Sequence, residues 1–384
     1  MLRIGYDAKQ LFNDFAGQGS YSRTLLANLA EYYPDNAYFL YAPRFTKSDD
    51  TSFFLNSALF NVQLPRRGPT LYWRTLGLKR YLRKHKIGLF HGLVNELPLA
   101  LQGTGIRSIV TIHDLIFLHY PQHYTLFNRK ALDLKYRYAC RQADHIVAIS
   151  ESTKRDIIHF YGIAPEKISV IYQSCSERFR QERAQKTIEA VRRRHHLPEE
   201  YLLTVGAITA RKNLMGTVRA LQLLPDSLKL PLVVVGKGTA HKAKIQRYLQ
   251  QNRLEKWVYF IEASFEDLPA IYQDASVFLY PSFFEGFGLP ILEALFSETP
   301  VLTSNTSSLP EAGGPGAYLV DPAKPEQIAA GIEKILTDDA YRASLVENGS
   351  EYAQQFRGEP LAQQMMELYK KVVGGGHTEP EPIT

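Results

Sequence analysis

Short apolar runs alternate with longer amphipathic stretches along the whole chain. Runs such as Arg107-Ser-Ile-Val-Thr-Ile and Pro231-Leu-Val-Val-Val are largely apolar, without a regular polar side. Strands of this kind are typical of parallel sheets, which helices cover on both faces. The pattern therefore predicts repeated strand-helix units and an α/β protein.

The apolar runs fall into two sets of about six. Those of the first half lie at residues 3–6, 37–42, 88–91, 107–112, 145–149 and 168–172. Those of the second half lie at residues 201–206, 231–236, 258–261, 277–280, 300–303 and 317–320. About six strands with helices between them make one doubly wound domain, so the sequence predicts two Rossmann-like domains.

A polar, charge-dense segment at residues 177–198 separates the two sets of strands. Compact domains are usually joined by such segments, and we place the boundary near residue 182. The predicted domains are then residues 1–181 and 182–358. The last residues, 374–384, begin with three glycines and show no periodicity, so we expect them to be disordered.

Composition agrees with two folded domains. The chain has 384 residues, 45% of them hydrophobic and 22% charged, so it is too long for one ordinary core and has enough apolar surface to fold unaided. The two cysteines, Cys140 and Cys175, lack metal-type spacing, which argues against a disulfide framework or a zinc site and fits a reducing compartment. We see neither a signal peptide nor a membrane-spanning stretch and expect a cytoplasmic protein.

The net charge of +6 is unevenly distributed. Residues 1–180 have 24 Lys and Arg against 14 Asp and Glu, a balance of +10, whereas residues 181–384 have 21 against 25, a balance of −4. The stretch 71–86 is a predicted basic helix that includes Tyr72 and Trp73. It could contact anionic lipid at the inner face of a membrane or simply pack on its own domain. No recognised base-reading module accompanies the charge, so we expect no nucleic-acid partner.

A glycine-rich turn between a strand and a helix is the strongest candidate for chemistry. The segment is Glu285-Gly-Phe-Gly-Leu-Pro-Ile-Leu-Glu293, with Pro290 near the first helical position, where proline is favoured. Backbone amides at a helix start bind anions such as a diphosphate, and glycines allow a close approach. The residues that would form this anion site are Gly286, Phe287, Gly288 and Leu289.

Two cations follow the first strand of the second domain. Arg211 and Lys212 come shortly after Gly206, at the edge of a parallel sheet where ligands bind. Two cations facing one diphosphate would neutralise its negative charge. Taken alone, an Arg-Lys pair in a loop is more often solvated surface.

The first domain contains two further candidates. An apolar strand ends in His113 and Asp114, where a neutral imidazole could hydrogen-bond a substrate hydroxyl. In the loop after the first strand, Gly17 and Gly19 precede a helix predicted from about Ser20. This Gly-x-Gly lacks the third glycine of a dinucleotide fingerprint, which argues against an NAD enzyme.

Taken together, these motifs resemble those of glycosyltransferase family four, the large retaining family. Glu285 and Glu293, on either side of Gly-Phe-Gly-Leu-Pro, are similar to its paired-glutamate motif, and the segments at residues 266–272 and 308–311 also fit. The resemblance implies the GT-B fold, in which two Rossmann-like doubly wound domains face each other across a cleft. It also implies that a last helix, at residues 359–373, crosses back to the first, acceptor-side domain.

The resemblance implies a role for each candidate. Arg211 and Lys212 would bind the donor diphosphate, and Glu293 would accept from the ribose hydroxyls. Glu285 and His113 would orient the sugar. The remaining donor-binding residues would be Gly17, Gly19, Gly206, Gly286, Phe287, Gly288 and Leu289. The chain departs from the family at Ala207, where many relatives have another arginine, and at Tyr172-Gln-Ser-Cys175, where Pro-Asn-Gly-Val is usual.

Within the family, the segments at residues 112–121 and 210–214 look most like the bacterial O-antigen mannosyltransferase branch. This implies a retaining hexosyltransferase that moves mannose from GDP-mannose onto a glycan or lipid-linked acceptor in polysaccharide biosynthesis. We expect no cofactor, and no metal because no acidic metal triad is visible in the sequence. A UDP-sugar-dependent transferase of the same fold, a nucleotide-sugar epimerase and a catalytically silent sugar-binding protein remain alternatives.

Overall fold

A computed structural model describes residues 1–15, 17–65, 77–99, 101, 104–238 and 240–375. The chain divides into two compact units. Unit 1 consists of Met1–Ser174 together with the segment from Arg357 onwards, and unit 2 consists of Cys175–Phe356. Unit 2 thus begins before residue 182, where the sequence placed the boundary.

Unit 1 is built on a seven-stranded parallel sheet. Its strands are β1 (Arg3–Asp7), β2 (Ala37–Tyr41), β3 (Phe60–Gln63), β4 (Leu89–Gly92), β5 (Arg107–Ile112), β6 (His145–Ala148) and β7 (Ile168–Val170). They lie in the order β3-β2-β1-β4-β5-β6-β7. The helices between them are α1 (Lys9–Asn13), α2 (Gly17–Tyr32), α3 (Asp49–Asn56), α4 (Leu78–Lys84), α5 (Ile116–His119), α6 (Leu126–Gln142) and α7 (Glu151–Tyr161).

Unit 2 is built on a six-stranded parallel sheet. Its strands are β8 (Leu202–Val205), β9 (Leu232–Val235), β10 (Val258–Ile261), β11 (Val277–Tyr280), β12 (Val301–Ser304) and β13 (Ala317–Val320). Their order is β10-β9-β8-β11-β12-β13. The helices are α8 (Gln185–His195), α9 (Leu214–Leu223), α10 (Ala240–Asn252), α11 (Leu268–Gln273), α12 (Leu289–Phe296), α13 (Leu309–Gly313), α14 (Pro325–Thr337) and α15 (Asp339–Ala353).

The strand order in both sheets is that of a doubly wound fold, which confirms the predicted fold class. The central strands are buried throughout, since helices cover both faces of each sheet. In unit 1 the order reverses between β1 and β4, and in unit 2 it reverses between β8 and β11. Open α/β sheets bind ligands outside the carboxyl ends of their strands at such a reversal, so we expect a ligand site at these two edges.

The last helix, α16 (Gly358–Gly374), belongs to unit 1, where it packs against α2. Its Tyr369 hydroxyl lies 2.6 Å from Nδ1 of His91, whose Nε2 lies 2.8 Å from Oγ1 of Thr111. Thr111 also hydrogen-bonds the Tyr21 hydroxyl at 3.0 Å. Burial lowers the pKa of His91 to about 3, so the imidazole is neutral and its two nitrogens donate one hydrogen bond and accept the other.

The structure adds β3 to the strands that the sequence predicted in unit 1. Its four residues, Phe60-Asn-Val-Gln, include two polar side chains and lie at the edge of the sheet. Edge strands are less apolar than central strands because one side is not covered by a neighbour. The remaining strands were predicted at these positions, with ends within about two residues.

The predicted basic helix and the predicted disordered tail lie partly outside the described residues. Tyr72 and Trp73 are among the residues that the structure does not describe, as are residues 376–384. The described part of the basic stretch, α4, buries Leu78 and Leu82 against unit 1, which agrees with packing on its own domain. Gly374, the first residue assigned to the tail, is helical and ends α16.

Candidate active site

The loops after β8 and β11 bring the predicted charged residues of unit 2 together. β8 is followed by Gly206, and β11 by the turn at residues 281–288. The two strands pair in parallel, so both loops leave the same edge of the sheet, at the reversal of strand order. Arg211 and Lys212 come from the first loop and Glu285 from the second.

Glu285 is held between the two cations. Arg211 Nη1 lies 2.5 Å from Glu285 Oε2, and Lys212 Nζ lies 2.9 Å from Glu285 Oε1. Lys212 also donates to the hydroxyl of Tyr280, and Arg211 donates to the backbone oxygen of Phe284. The side chains of Arg211, Lys212 and Glu285 are 24%, 18% and 10% exposed. Because the cluster has two cations and one carboxylate, its net charge is positive. Its low exposed fractions show that it is largely shielded from water.

The electrostatics of the cluster keep Glu285 ionised. Burial pushes the pKa of Glu285 upward, but Lys212 and Arg211 outweigh burial and hold it below its usual value. Burial is also the main reason that the pKa of Lys212 is lowered, with Glu285 opposing the shift and Arg211 adding to it. A carboxylate so placed accepts hydrogen bonds, for example from a sugar hydroxyl, and does not donate them.

The glycine-rich turn leads directly into α12, as the sequence predicted. Gly288 has φ of +135°, a backbone conformation that side chains with a Cβ rarely adopt. Leu289 begins the helix, and Pro290 lies in its first turn. Phe287 is buried, with its ring 5.7 Å from that of Phe356. The side chain of Phe287 is thus part of the core, and only its backbone remains for a ligand.

Two serines after β12 support this turn. Ser308 Oγ donates to the carbonyl oxygens of both Glu285 and Phe287, at 2.9 and 2.8 Å. Ser307 Oγ accepts from the backbone amide of Glu285 at 3.1 Å. The segment at residues 308–311, noted in the sequence, therefore fixes the backbone on either side of Gly286.

Glu293 lies in the second turn of α12 and is bound by a tyrosine. Tyr272, on α11, donates to Glu293 Oε2 at 2.9 Å. Burial raises the pKa of Glu293 to about 7, although the hydrogen bond from Tyr272 and the charge of Lys212 act in the opposite direction. The segment at residues 266–272 therefore reaches the second glutamate, and that carboxyl is partly protonated near neutral pH.

Asn213 anchors the loop that contains the two cations. Its backbone is in the left-handed region, with φ of +56°, and its side chain accepts from the amide of Gly216 to cap α9. Its Nδ2 donates to the carbonyl oxygens of Pro281 and Pro322, at 3.1 and 2.7 Å. Asn213 lies in the segment at residues 210–214, for which the sequence predicted no role of an asparagine. Its position between a Lys and an apolar helix is the signal that could have identified a cap.

Gly206 and Ala207 begin the same loop. A Cβ at Gly206 would lie 3.6 Å from both Nζ and Cε of Lys212, so this glycine flanks the cation. Ala207, where many relatives have an arginine, is exposed. The positive charge of the cluster therefore comes from Arg211 and Lys212, and Ala207 adds no third cation.

His113 lies at the carboxyl end of β5 in unit 1, and protein partners surround its ring. Nε2 is 3.0 Å from the carbonyl oxygen of Leu93, and Nδ1 is 3.4 Å from Nε2 of Gln173. The backbone amide of His113 donates to Asn95 Oδ1 at 2.8 Å, and the ring of Tyr21 meets the imidazole edge-on at 4.8 Å. Burial lowers the pKa of His113 to about 4, so the ring is neutral.

This geometry defines what a ligand could reach on His113. The neutral ring donates from Nε2 to Leu93, and Nδ1 accepts from Gln173. A sugar hydroxyl that binds Nδ1 must therefore displace or share the amide of Gln173. Gln173 belongs to the segment that departs from the family pattern, and sequence reasoning did not connect it with His113.

Gly17 and Gly19 lie in the first turn of α2, which begins three residues before the predicted start. A Cβ at Gly19 would lie 1.7 Å from the carbonyl oxygen of Asp14, so this position requires glycine. Arg23 Nη1 donates to that same oxygen at 2.8 Å. A Cβ added at Gly17 would have no neighbouring atom within 4 Å. Close backbone packing thus explains Gly19, whereas Gly17 leaves its surroundings open.

The described residues contain neither a metal-type cluster of side chains nor a helix that could span a membrane. No three His, Cys, Asp or Glu side chains within them form a cluster that could hold a metal ion. None of the helices in the described ranges combines the length and apolar composition that crossing a membrane requires.

Comparisons with known proteins match both halves of the chain. The family model for Glycosyltransferase Family 4 matches residues 16–174, and the model for Glycosyl transferases group 1 matches residues 186–352. Together the two models cover most of the chain, and their limits follow the two units. This assignment supports a transferase and gives no support to the epimerase that the sequence left open.

Individual relatives point in the same direction. The chain is 29% identical to the O-antigen chain mannosyltransferase B of Escherichia coli, over 79% of this chain and 81% of that protein. It is 28% identical to the serotype-specific mannosyltransferase WbdA of Escherichia coli over 67% of this chain, and it spans only 33% of that longer protein. The structure of Anabaena HepE in complex with UDP has a TM-score of 0.75 and 18% identity, covering 97% of this chain and all of HepE. The likeness to HepE shows a shared GT-B fold, and the two family models show that the chain belongs to the glycosyltransferases that combine a family 4 domain with a group 1 domain.

Proposed function

We propose that this enzyme transfers mannose from GDP-mannose to a glycan or lipid-linked acceptor, with retention of the anomeric configuration, in polysaccharide synthesis such as that of O-antigen. The observation behind the proposal is Glu285 held between Arg211 and Lys212 at the ligand edge of unit 2. A diphosphate binds to cations, and a sugar hydroxyl can donate a hydrogen bond to a carboxylate. The cluster offers both within a few ångströms.

The chemistry follows from these charges. As the bond between the anomeric carbon and the diphosphate breaks, negative charge builds on the departing GDP, and Arg211 and Lys212 stabilise it. Glu285 accepts a hydrogen bond from the sugar and so orients a ring of oxocarbenium-like character. The acceptor hydroxyl attacks from the face that the phosphate leaves, and the leaving phosphate takes its proton, which gives retention.

The other candidate residues bind and orient the donor in this proposal. Glu293 accepts from the ribose hydroxyls, and the backbone from Gly286 to Leu289 receives the diphosphate at the start of α12. His113, in unit 1, contacts the sugar as a neutral imidazole. Gly17, at an open position in the first turn of α2, lets a phosphate approach the backbone.

GDP-mannose is the proposed donor because the two relatives described above are named as mannosyltransferases. A UDP-sugar is the second candidate, since HepE was solved in complex with UDP.

We propose that no metal is needed, because Arg211 and Lys212 already supply the positive charge that a metal would otherwise bring to the diphosphate. We also propose that the protein works in the cytoplasm, where the saccharide acceptor is soluble or lies at the inner face of the membrane.

A donor panel tests the proposal. Thermal shift with GDP-mannose, UDP-glucose, ADP-glucose and TDP-glucose should show the largest stabilisation with GDP-mannose, since a ligand that binds only the folded state raises its stability. With octyl α-mannoside as acceptor, GDP should be released only when donor and acceptor are both present, EDTA should not reduce the rate, and proton NMR of the product should show an α-linkage. Preference for a UDP-sugar, a strict need for Mn²⁺, or a β-linked product would each overturn the corresponding part of the proposal.

A further inference from the structure

A small cavity lies at the carboxyl edge of the sheet of unit 1. Its lining comes from residues that follow β1 and β4, the two strands between which the strand order reverses, and from α6. Its volume is about 170 Å³, whereas pockets for drug-sized ligands have roughly 300–1,000 Å³. Because open α/β sheets bind ligands at such a reversal, the position and the size indicate a site for one small unit, such as a single sugar ring.

Hydrogen-bonding side chains form most of this lining. Two are carboxylates, Asp7 at the end of β1 and Glu96 in the loop after β4. The uncharged polar groups, three amides and one hydroxyl, belong to Gln10, Gln18, Asn95 and Tyr136. Carboxylates accept hydrogen bonds, whereas amides and hydroxyls both donate and accept them. This set matches a ring of sugar hydroxyls, each of which can donate and accept.

Asn95 fixes the wall of the cavity to the strand that ends in His113. Its backbone amide donates to the carbonyl oxygen of Thr111, and its Oδ1 accepts from the backbone amide of His113, both at 2.8 Å. Its Nδ2 donates to the hydroxyl of Tyr136 at 3.0 Å, so this hydroxyl has its own proton to donate. Asn95 therefore contacts both the cavity and the histidine that we propose as a contact of the donor sugar.

The lining has a negative net charge. Asp7 and Glu96 are its acidic residues and Lys9 is its basic one, so two carboxylates and one cation leave −1 among the described residues that line the cavity. Lys135 lies 3.5 Å from Glu96, but it does not line the cavity and is 58% exposed, so water and salt screen its charge.

The negative charge also acts on the hydroxyl in the lining. Burial, and after it the charges of Asp114 and Glu96, raise the pKa of Tyr136 above its ordinary value. A phosphate at this place would therefore face like charges, which repel it, and carboxylates that cannot donate hydrogen bonds to its oxygens. An uncharged sugar hydroxyl meets no such repulsion and can donate to the same carboxylates.

We infer that this cavity holds the terminal sugar of the acceptor, and that Asp7 and Glu96 restrict it to an uncharged saccharide. The identification of this ligand as the acceptor rests on the proposed transfer. Asp7 Oδ1 already accepts from the amide of Lys9 at 3.2 Å, but a carboxylate has about four lone pairs and can share them with a sugar hydroxyl. Val94 and Leu132 supply apolar surface for the C–H groups of the ring. Any phosphate or lipid on the acceptor lies outside the cavity, which has room for one ring.

Saturation-transfer difference NMR with the full-length protein tests this site without any transfer reaction. The probes are the octyl glycosides of mannose, glucose and galactose, and the phosphate ester of each at its primary hydroxyl. Their ring protons are observed with and without GDP. We expect at least one neutral glycoside to bind, and its phosphate ester to bind about tenfold more weakly or worse, because like charges in contact are unfavourable.

Variants that remove the charge distinguish charge selection from steric exclusion. Asp7→Asn and Glu96→Gln keep the shape of each side chain. Each should weaken binding of the neutral glycoside by about tenfold, because a hydrogen bond to a charged group is replaced by one to a neutral group. Each should also narrow the difference between the glycoside and its phosphate ester. In transfer assays the same variants should raise the KM for the acceptor and leave the KM for the donor unchanged.

Glu166→Gln is the matched control. It removes the same charge from an exposed position just before β7, at the opposite, amino edge of the sheet of unit 1. It should change neither glycoside binding nor either KM. Circular dichroism should show that all three variants are folded like the parent protein, and if one of the two cavity variants is not, the other decides the result.

Three results would overturn the inference. The first is that none of the glycosides binds, with or without GDP. The second is equal binding of a neutral glycoside and its phosphate ester, or a difference that the folded variants leave unchanged. The third is glycoside binding that neither variant weakens, because the saccharide would then lie elsewhere. Glycoside binding requires no turnover, so a protein that shows the expected binding but releases no GDP from GDP-mannose would contradict the proposed transfer and leave the saccharide site standing.

Discussion

At the residue scale, the substitution Glu285→Gln should affect donor binding and turnover differently. In Glu285→Gln, Arg211 and Lys212 lose their shared negative partner, and the positive charge offered to a diphosphate increases. We therefore expect GDP affinity, measured by isothermal titration calorimetry, to stay equal or rise. Turnover should fall by about 10²–10³-fold, the cost of removing one preorganised group that acts on the reacting sugar.

The control for this change is Glu333→Gln, which makes the same substitution at an exposed position of α14. It should leave both GDP affinity and turnover unchanged. Weaker GDP binding in Glu285→Gln, in parallel with the loss of turnover, would contradict a role on the sugar. A reduced thermal midpoint alone would not explain lost turnover if GDP still bound with the parent affinity.

At the scale of elements, one asparagine connects three loops that follow strands of unit 2. Asn213 joins the loop after β8 to Pro281 and Pro322, which follow β11 and β13. Asn213→Gly keeps a residue that tolerates positive φ but removes the cap and both donated hydrogen bonds. We expect a loss of about 1–3 kcal/mol in the free energy of unfolding, measured by urea denaturation. The KM for the donor should also rise, because Arg211 and Lys212 are no longer held in place.

Asn213→Ala provides the comparison, since it removes the same side chain and adds strain at φ of +56°. It should be less stable than the glycine variant but have a similar KM. If both variants kept the parent KM, Asn213 would serve stability only and would not position the cations.

The sequence predicted elements better than it predicted the partners of individual side chains. β5 and β11 were visible because buried parallel strands are continuously apolar, and the start of α12 was visible because Pro290 and the glycines mark it. The contact between Gln173 and His113, which are 60 residues apart, depends on how the loops meet at the sheet edge and has no local sequence pattern. The same holds for Tyr272 and Glu293. The roles of these residues in catalysis stay predictions.

At the scale of the whole molecule, two buried histidines in unit 1 and one buried glutamate in unit 2 make the stability of the two units depend on pH. In unit 1, burial lowers the pKa of His91 to about 3 and that of His113 to about 4. In unit 2, burial raises the pKa of Glu293 to about 7. The two histidines release their protons on folding, whereas Glu293 retains one. Acid should therefore act on the two units in opposite directions through these groups.

The sign of each effect follows from where protons bind. His91 and His113 take up protons on unfolding once the pH drops below about 6.5, so their contribution to the stability of unit 1 is complete above that pH and declines in acid. Glu293 retains a proton in the folded state up to about pH 7, so its contribution to unit 2 is complete below 4.5, the ordinary pKa of a glutamate, and is lost as pH rises through 7. Each group changes the free energy of unfolding by up to about 1.4 kcal/mol per pH unit.

Hydrogen-deuterium exchange followed by mass spectrometry can measure the pH dependence of stability for each unit separately, because each peptide belongs to one unit or the other. Between about pH 7 and pH 5, and after correction for the pH dependence of the intrinsic rate, His91→Gln should flatten the loss of protection in unit 1 and leave unit 2 unchanged. Glu293→Gln should abolish part of the acid-induced gain in unit 2 and leave unit 1 unchanged. Equal effects of either variant on peptides of both units would show that the units share one unfolding transition. An unchanged pH slope in the affected unit would instead show that other groups control its stability, because removing a titrating group must remove its share of the slope.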